Sequence, residues 1–439
     1  MMAPVMAAAM ASVVAHGMPP VMRLVMAFPQ QAPFRVDQVM AAPALMTALW
    51  LVLLLLAVVL SWAGHTGRPR AWWCGAGLLL VVVALFFTLA SWGTSDITKL
   101  SHYFANAPER LPKAEPLWPL LTPLVLAMPY RMAALHGLVA AGYAALPLLL
   151  SRSWRLGAWG GWWALLIVCS PLLRSFLQNG ITRQALAVLL LAPLMLWGSG
   201  LLGRRRRLVF GSTVVAAISH TTFPISLLAA LVPSLVRLRP GAAWARLSGW
   251  WHQRLAGSGA GRGWRLAGLA LGVLLVGTVL ANVLPMALLK FQLYSQRETF
   301  FSSYPILPDV LRLELALLVA VGLVVWRRGR NPGPLLRQEG LARQLLLYAA
   351  ALLLIQVSVA TAWLAPITFR LADLVGLYLL LSFLAWIREQ GAAWAVLPPL
   401  AVTLAGWLQH RLLDVAALRC GLDDNFLCIP DRLPWLIQY

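Results

Sequence analysis

Residues 42–63 read Ala-Pro-Ala-Leu-Met-Thr-Ala-Leu-Trp-Leu-Val-Leu-Leu-Leu-Leu-Ala-Val-Val-Leu-Ser-Trp-Ala, without a single charge. About 20 apolar residues carry a helix across the hydrocarbon core of a bilayer, and this stretch is long enough. The pattern recurs along the chain. Apolar segments follow at 71–92, 130–150, 156–172, 182–202, 207–219, 222–236, 266–289, 310–326, 343–363, 371–387 and 392–408. Together they predict an all-α, polytopic integral membrane protein with about 12 transmembrane helices. One more stretch, 116–128, is apolar but interrupted by proline and too short to span. It reads as an interfacial or re-entrant helix.

Composition agrees. Of 439 residues, 61% are hydrophobic and 11% are charged, against about 25% charged in a soluble domain. A soluble fold cannot hide so much apolar surface, so lipid must solvate the excess. The formal charge of +21 raises the question of nucleic acid. The basic residues punctuate apolar runs and form no continuous stripe, which argues against that partner. Topology signals and anionic lipid headgroups account for the same charge. Trp62, Trp72, Trp73, Trp92, Trp154, Trp326, Trp363 and Trp386 lie near the ends of apolar runs, where an amphipathic ring prefers the interface. Four cysteines without a Cys-x-x-Cys pair indicate neither a disulfide scaffold nor structural zinc. Cys74 and Cys169 read as core thiols.

Residues 1–40 are methionine-rich and contain no full span. They read as a leader: a signal peptide, an interfacial helix or an over-extended start, the last being preferred because the first strong span begins near Ala42. Residues 41–410 form the membrane domain and 411–439 a tail. The loop 237–265, with Gly257-Ser258-Gly259-Ala260-Gly261, reads as a flexible linker. Orientation comes from Lys and Arg. One set of loops carries Arg68, Arg70, Arg152, Arg155, Arg204–Arg207, Arg327, Arg328 and Arg388 among others, opposed only by Glu339 and Glu389. The positive-inside rule makes this set cytoplasmic. Both termini, Asp96, Arg174, Arg297 and Arg370 then face outward. An oxidising outer compartment permits a Cys420–Cys428 disulfide in the tail.

Charges at a membrane rim are costly, and each is a functional hypothesis. Asp96, Lys99, His102 and Tyr103 follow the second segment; ordinary loop composition is the bland alternative. Arg174, Gln178, Asn179, Arg183 and Gln184 form a stronger group. Arg183 opens the fifth segment on the side where topology does not call for a cation, at a helix start whose dipole disfavours one. Two arginines, free amides and helix-start N–H groups make an anion site; snorkelling to lipid phosphates is the competing reading. His220 sits in the hinge Ser219-His220-Thr221-Thr222-Phe223-Pro224, between two segments short for full crossings. Such a break is tolerated where protein or a polar cavity satisfies the backbone. Arg370 and Asp373 begin the eleventh segment and can pair at i,i+3. Tyr294 and Arg297, in the loop 291–309, can reach the same mouth. No Asp-x-Asp, Gly-x-Ser-x-Gly, His-Glu-x-x-His or P-loop motif occurs. No cofactor is expected, and a metal-independent site built on arginine is what the residues offer.

The run Asn179-Gly-Ile-Thr-Arg183-Gln-Ala-Leu-Ala, a helix, a basic turn, a second short helix and then Ser219-His220 resembles the EpsG family of Wzy-type bacterial polysaccharide polymerases. Asp96 with Tyr103, the Glu115-Pro116-Leu117 sequence and Phe369-Arg370 fit the same order and spacing. The resemblance covers residues 42–390. It implies transfer of a growing glycan from polyprenyl pyrophosphate to the next lipid-linked repeat unit at the outer face of the cytoplasmic membrane. His220 or Asp96 would help remove the acceptor proton. Arg174, Arg183, Gln184, Arg297, Arg370 and Tyr103 would bind pyrophosphate or glycan. A chain-length regulator and a flippase are the expected protein partners. The rival readings are another polyprenyl-linked glycosyltransferase or O-antigen ligase, and a transporter or flippase that breaks no bond. A transferase of that kind carries paired acids in its first outer loop, whereas a transporter carries charges deep in several spans.

Overall fold

The computed structural model describes residues 36–91, 95–106, 111, 115–177, 181–203, 205–237, 307–327, 339–360 and 365–407. The chain divides after Leu45. Of the first unit only the beginning of one helix is described; the packed helices belong to the second unit, Met46–Tyr439. The leader 1–35, the linker and segment within 238–306 (with Tyr294 and Arg297), Gln178, Asn179 and the tail with Cys420 and Cys428 lie outside the described residues.

Among the described residues the fold is helical throughout, without a strand. The long helices are α1 (Val36–His65), α2 (Pro69–Ser91), α5 (Met132–Ser153), α8 (Thr182–Gly198), α11 (Leu307–Arg327), α12 (Glu339–Ala360) and α13 (Ala365–Glu389). Shorter ones are α3 (Ser95–Asn106), α4 (Leu117–Ala127), α6 (Gly160–Val168), α7 (Arg174–Leu177), α9 (Arg206–Ser219), α10 (Phe223–Arg237) and the apolar helix Ala393–Trp407, here α14. Helices thus lie over each segment expected from the sequence except 266–289, which is outside the described residues. Among the described residues four stretches, Leu45–His65, Pro69–Ser91, Met132–Ser153 and Gly340–Val357, are long and apolar enough to cross a membrane by length and composition.

Burial separates the helices by role. In α5, 61% of the apolar window is buried, against 22% in α1 and 28% in α12. The exposed side of α1 shows Leu51, Leu55, Val58 and Trp62, and that of α12 shows Leu346, Leu353 and Leu354. Apolar surface on this scale has no stable place in water, so these faces suit lipid. α5 is central because it packs on α2, α6 and α8. The α2–α5 approach depends on Gly137, where an added Cβ would collide with the Ala84 carbonyl and the Thr88 hydroxyl. Gly376 does the same for α13 against Leu172, whose Cβ would lie 2.7 Å away. Small residues let membrane helices come this close where hydrophobicity supplies no drive between them.

Arginines stack on tryptophans at one rim. Arg68 lies over Trp62 at 4.7 Å, Arg152 over Trp72 at 5.6 Å, Arg327 over Trp394 at 5.3 Å and Arg388 over Trp154 at 5.3 Å. These are cation–π contacts, and every arginine among them belongs to the basic loop set. Trp72 departs from the expected interfacial role. Its ring is fully buried, and its indole N–H donates to the Gly157 carbonyl at 2.9 Å, tying the α1–α2 turn to the α5–α6 turn. α5 carries Arg152 in its last turn and His136 near its start. Twenty-two residues at about 1.5 Å each separate these ends by about 30 Å. The groups around His136 therefore lie at the rim opposite the arginine–tryptophan belt.

Candidate functional site

The hinge between α9 and α10 breaks where the sequence suggested, and several of its backbone groups have named partners. α9 ends at Ser219, His220 is extended (φ −156°, ψ 141°), and α10 begins at Phe223. The first N–H groups of a helix have no partner inside it. Here the Phe223 N–H donates to the His220 carbonyl at 3.0 Å, and the Thr222 N–H donates to His220 Nδ1 at 3.0 Å. The Thr221 N–H donates to Oε1 of Glu115 at 3.1 Å. Pro224 has no N–H to satisfy. On the other side of the break, the Ser219 carbonyl accepts from the indole N–H of Trp118 at 2.7 Å. Trp118 is fully buried and lies one residue inside α4. The short helix 116–128 therefore serves as the partner of the hinge.

Glu115 is the centre of this arrangement. It precedes α4 and is 1% exposed. Its Oε2 accepts from Nη1 of Arg183 at 2.7 Å, and its Oε1 accepts from the Thr221 hydroxyl at 3.3 Å as well as from the Thr221 N–H. His220 Nε2 stands 3.8 Å from the same Oε1, beyond hydrogen-bond length but within reach of a charge. The site is thus one carboxylate held among a guanidinium, an imidazole, a hydroxyl and a backbone amide at the start of α10, an end that favours negative charge. A buried charge without such partners would cost several kcal/mol.

The His220 ring has a definite arrangement. Nδ1 accepts the Thr222 N–H, and the Thr222 hydroxyl lies 2.7 Å from the same nitrogen. A ring nitrogen that accepts a backbone N–H carries no proton, so the neutral ring has its proton on Nε2, the atom facing Glu115.

Arg183 enters from the first turn of α8. Ile181 caps that helix without a side-chain hydrogen bond. The Arg183 side chain is 20% exposed, and its Nε, buried, makes no hydrogen bond. The guanidinium thus faces Glu115 through Nη1, while its buried Nε has no hydrogen-bond partner. Gln184, beside it, is buried.

His136 fixes where Arg183 starts. It is fully buried in α5, and its Nε2–H donates to the Leu177 carbonyl at 2.8 Å while Nδ1 accepts from the Thr182 hydroxyl at 2.9 Å. The two bonds hold both flanks of residues 178–180, and Thr182 is the residue before Arg183. Above the site lies α3. Its Ile97, Leu100 and Phe104 pack with Trp118, Val125 and Met132, and Tyr103 packs on the same cluster with Leu186 and Tyr130. Burial pushes the Tyr130 phenol up to about 12.

The structure therefore brings together Arg183 and His220 among the residues predicted from sequence, with Gln184 adjacent. Tyr103 lies on the covering cluster. Asp96 belongs to the same covering helix, and Arg370 to the first turns of α13; their side chains are outside the described set. Arg174 has a partner elsewhere: its Nη1 lies 3.9 Å from Asp309 at the start of α11, and Asp309 also accepts from Arg312 at 3.3 Å. Cys74 is exposed and Cys169 buried, both free. Sequence reasoning missed Glu115 and His136 as members of the site. Both are visible as ionisable residues bordering or entering apolar stretches, the signal that singles out His220.

No protein-family model, characterised protein or solved structure matches the chain. The functional reading therefore rests on the residues and their arrangement.

Proposed function

We propose that the chain is a polytopic polymerase of bacterial surface polysaccharide, of the EpsG type that its sequence resembles. It joins polyprenyl-pyrophosphate-linked repeat units at the outer face of the cytoplasmic membrane. The observation that carries the reading is the Arg183 guanidinium: it opens an uncapped helix, one edge is held by a buried carboxylate, and Nε is left for another acceptor. That geometry suits a phosphate oxygen. The position of the site supports the orientation. It lies at the end of α5 away from the arginine–tryptophan belt, and positive-inside logic makes the belt cytoplasmic.

In this reading the acceptor hydroxyl attacks the anomeric carbon of the lipid-linked glycan, and the C–O bond to pyrophosphate breaks. Arg183, with Arg174, Arg297 or Arg370 as a second contact, stabilises the negative charge growing on the leaving group. His220 and Asp96 are the sequence-derived candidates for handling the acceptor proton, and Gln184 and Tyr103 contact glycan or lipid headgroup. A flippase that delivers the lipid-linked unit and a chain-length regulator are the protein partners this reading expects.

The test is to express variants in a deletion strain, quantify folded protein in membranes and size the surface glycan. Arg183→Ala should cost about 2–4 kcal/mol of transition-state stabilisation, roughly 30- to 1000-fold in rate. Arg183→Lys should fail almost as badly, because a point charge does not replace the planar fork. Single-repeat glycans support polymerisation over ligation or transport. Full-length glycan from well-folded Arg183→Ala protein would refute the reading. Orientation is checked by reporter fusions: those after Arg206 and Arg328 should report cytoplasm and one near Ala105 the outside.

A further inference from the structure

The hydrogen bonds around His220 bear on which group takes the acceptor proton. With Nδ1 engaged by the Thr222 N–H and Nε2 carrying the proton, the neutral imidazole presents a donor toward the site. The lone pair that would serve as a base points into the hinge backbone and could be freed only by orphaning a buried N–H at the start of α10. Glu115 is the reverse case. It is an acceptor on both oxygens, it is 1% exposed, and each of its contacts is a donor: Arg183, the Thr221 amide and the Thr221 hydroxyl, with His220 Nε2–H facing it. It is also the group that occupies the arginine a phosphate would need. A second anion brought to the Nε side of the same guanidinium would be repelled by the carboxylate on Nη1 in a site this enclosed.

We infer that Glu115 holds the empty anion site in its resting form and, once the pyrophosphate of a lipid-linked glycan draws Arg183 away from it, becomes the acceptor of the attacking hydroxyl's proton. The inference rests on the anion-site reading above. The exchange gives the step its order: while Arg183 holds Oε2 of Glu115 that oxygen is engaged, and binding of the leaving group is what releases it. In the step itself the acceptor oxygen forms a bond to the anomeric carbon, and the anomeric C–O bond to pyrophosphate breaks with its electron pair. Lipid pyrophosphate leaves on Arg183, and the hydroxyl proton passes to a Glu115 oxygen. His220 is then a positioning residue, with Nε2–H steadying the carboxylate as its partner changes.

This arrangement makes binding and turnover respond in opposite directions to one substitution. Glu115→Gln is isosteric, keeps an acceptor for the Thr221 amide and removes the competing charge. Full-length protein in detergent should bind inorganic pyrophosphate about tenfold tighter by calorimetry, while glycan polymerisation in membranes falls at least about 100-fold. Thr221→Ala removes one donor that steadies the released carboxylate and leaves both charges; it should weaken pyrophosphate binding about threefold, and it decides the question if the Gln variant is lost to misfolding. Unchanged or weaker pyrophosphate binding in Glu115→Gln protein, or unchanged or tighter binding in Thr221→Ala protein, would overturn the inference, as would normal glycan length from folded Glu115→Gln protein. Arg183→Ala separates the two levels. If it binds pyrophosphate as well as the unaltered protein does, the anion site itself is wrong. If it loses binding but Glu115→Gln gains none, the anion site stands and only the exchange is refuted.

Discussion

Two arginine–carboxylate contacts stand at helix starts in this protein, and they differ in distance, in the burial of the carboxylate and in its other donors. Arg183 meets Glu115 at 2.7 Å with the carboxylate 1% exposed, whereas Arg174 meets Asp309 at 3.9 Å with side chains 26% and 12% exposed. Glu115 takes hydrogen bonds from two further donors on a different element. Asp309 shares its charge with Arg312, one turn along its own helix and 55% exposed. A buried pair with both carboxylate oxygens hydrogen-bonded is strong only as a unit: its desolvation cost is large, and removing either partner exposes that cost. A partly exposed pair at nearly 4 Å is weak in geometry and partly screened, and it contributes less. Charge count alone would rank the two sites equally. Burial and donor geometry rank them far apart, and they single out the hinge as the place where the chain commits structure to holding a charge.

The largest expected effect follows directly. Glu115→Ala leaves Arg183 opposite nothing and the Thr221 N–H buried without its acceptor. The cost should be about 3 kcal/mol or more, seen as a lower thermal midpoint in detergent and less folded protein in the membrane. A loss no larger than that from an exposed ion pair would mean that water reaches the carboxylate, and the contrast between the two sites would collapse.

His136 sharpens the comparison from a third position. It touches neither charge, yet it bonds Leu177 and Thr182, the two flanks of the segment leading into Arg183. His136→Ala removes two buried hydrogen bonds and leaves a void, a loss of about 2–3 kcal/mol. Polymer length should shorten in step with that loss. His136→Asn, which can still reach one partner, should recover part of both. Loss of stability with normal glycan length would show that Arg183 keeps its place without the clamp.

How much of this is legible in the sequence depends on the range of the interaction. Apolar runs place the helices because a membrane segment satisfies its backbone locally, and the α9–α10 break is visible in Ser219-His220-Thr221-Thr222 for the same reason. The first helix begins at Val36, several residues ahead of the expected start near Ala42, since a helix can continue past the apolar run that prompts it. Arg183 is legible as a cation on the wrong side. Glu115 stands out as part of a family-like tripeptide. Its partners lie 68 and 106 residues downstream, and its place beside the apolar stretch 116–128 is a local signal that names neither of them. Trp72 misleads in the opposite sense: at the end of an apolar run it reads as an interface anchor, yet the Gly157 carbonyl draws it inside. Hydrophobic period and charge sign are local properties, while the choice of a partner across helices is not.

The smallest effect belongs to the exposed pair. Asp309→Asn keeps the shape and one acceptor oxygen while removing the charge that Arg174 and Arg312 share. With Arg312 at i,i+3 and mostly in solvent, the stability change should stay within about 0.5 kcal/mol, close to the resolution of a thermal melt. That small structural cost makes the variant a clean probe of Arg174. Should Arg174 supply the second contact to pyrophosphate, loosening its carboxylate leaves it more available to the ligand, and inorganic pyrophosphate should bind slightly tighter with glycan length maintained. Should Arg174 serve only to snorkel toward lipid phosphates, pyrophosphate binding should not move at all. A destabilisation approaching that of Glu115→Ala would refute the ranking by burial and distance, because the weaker, wetter contact would then be holding α7 and α11 together.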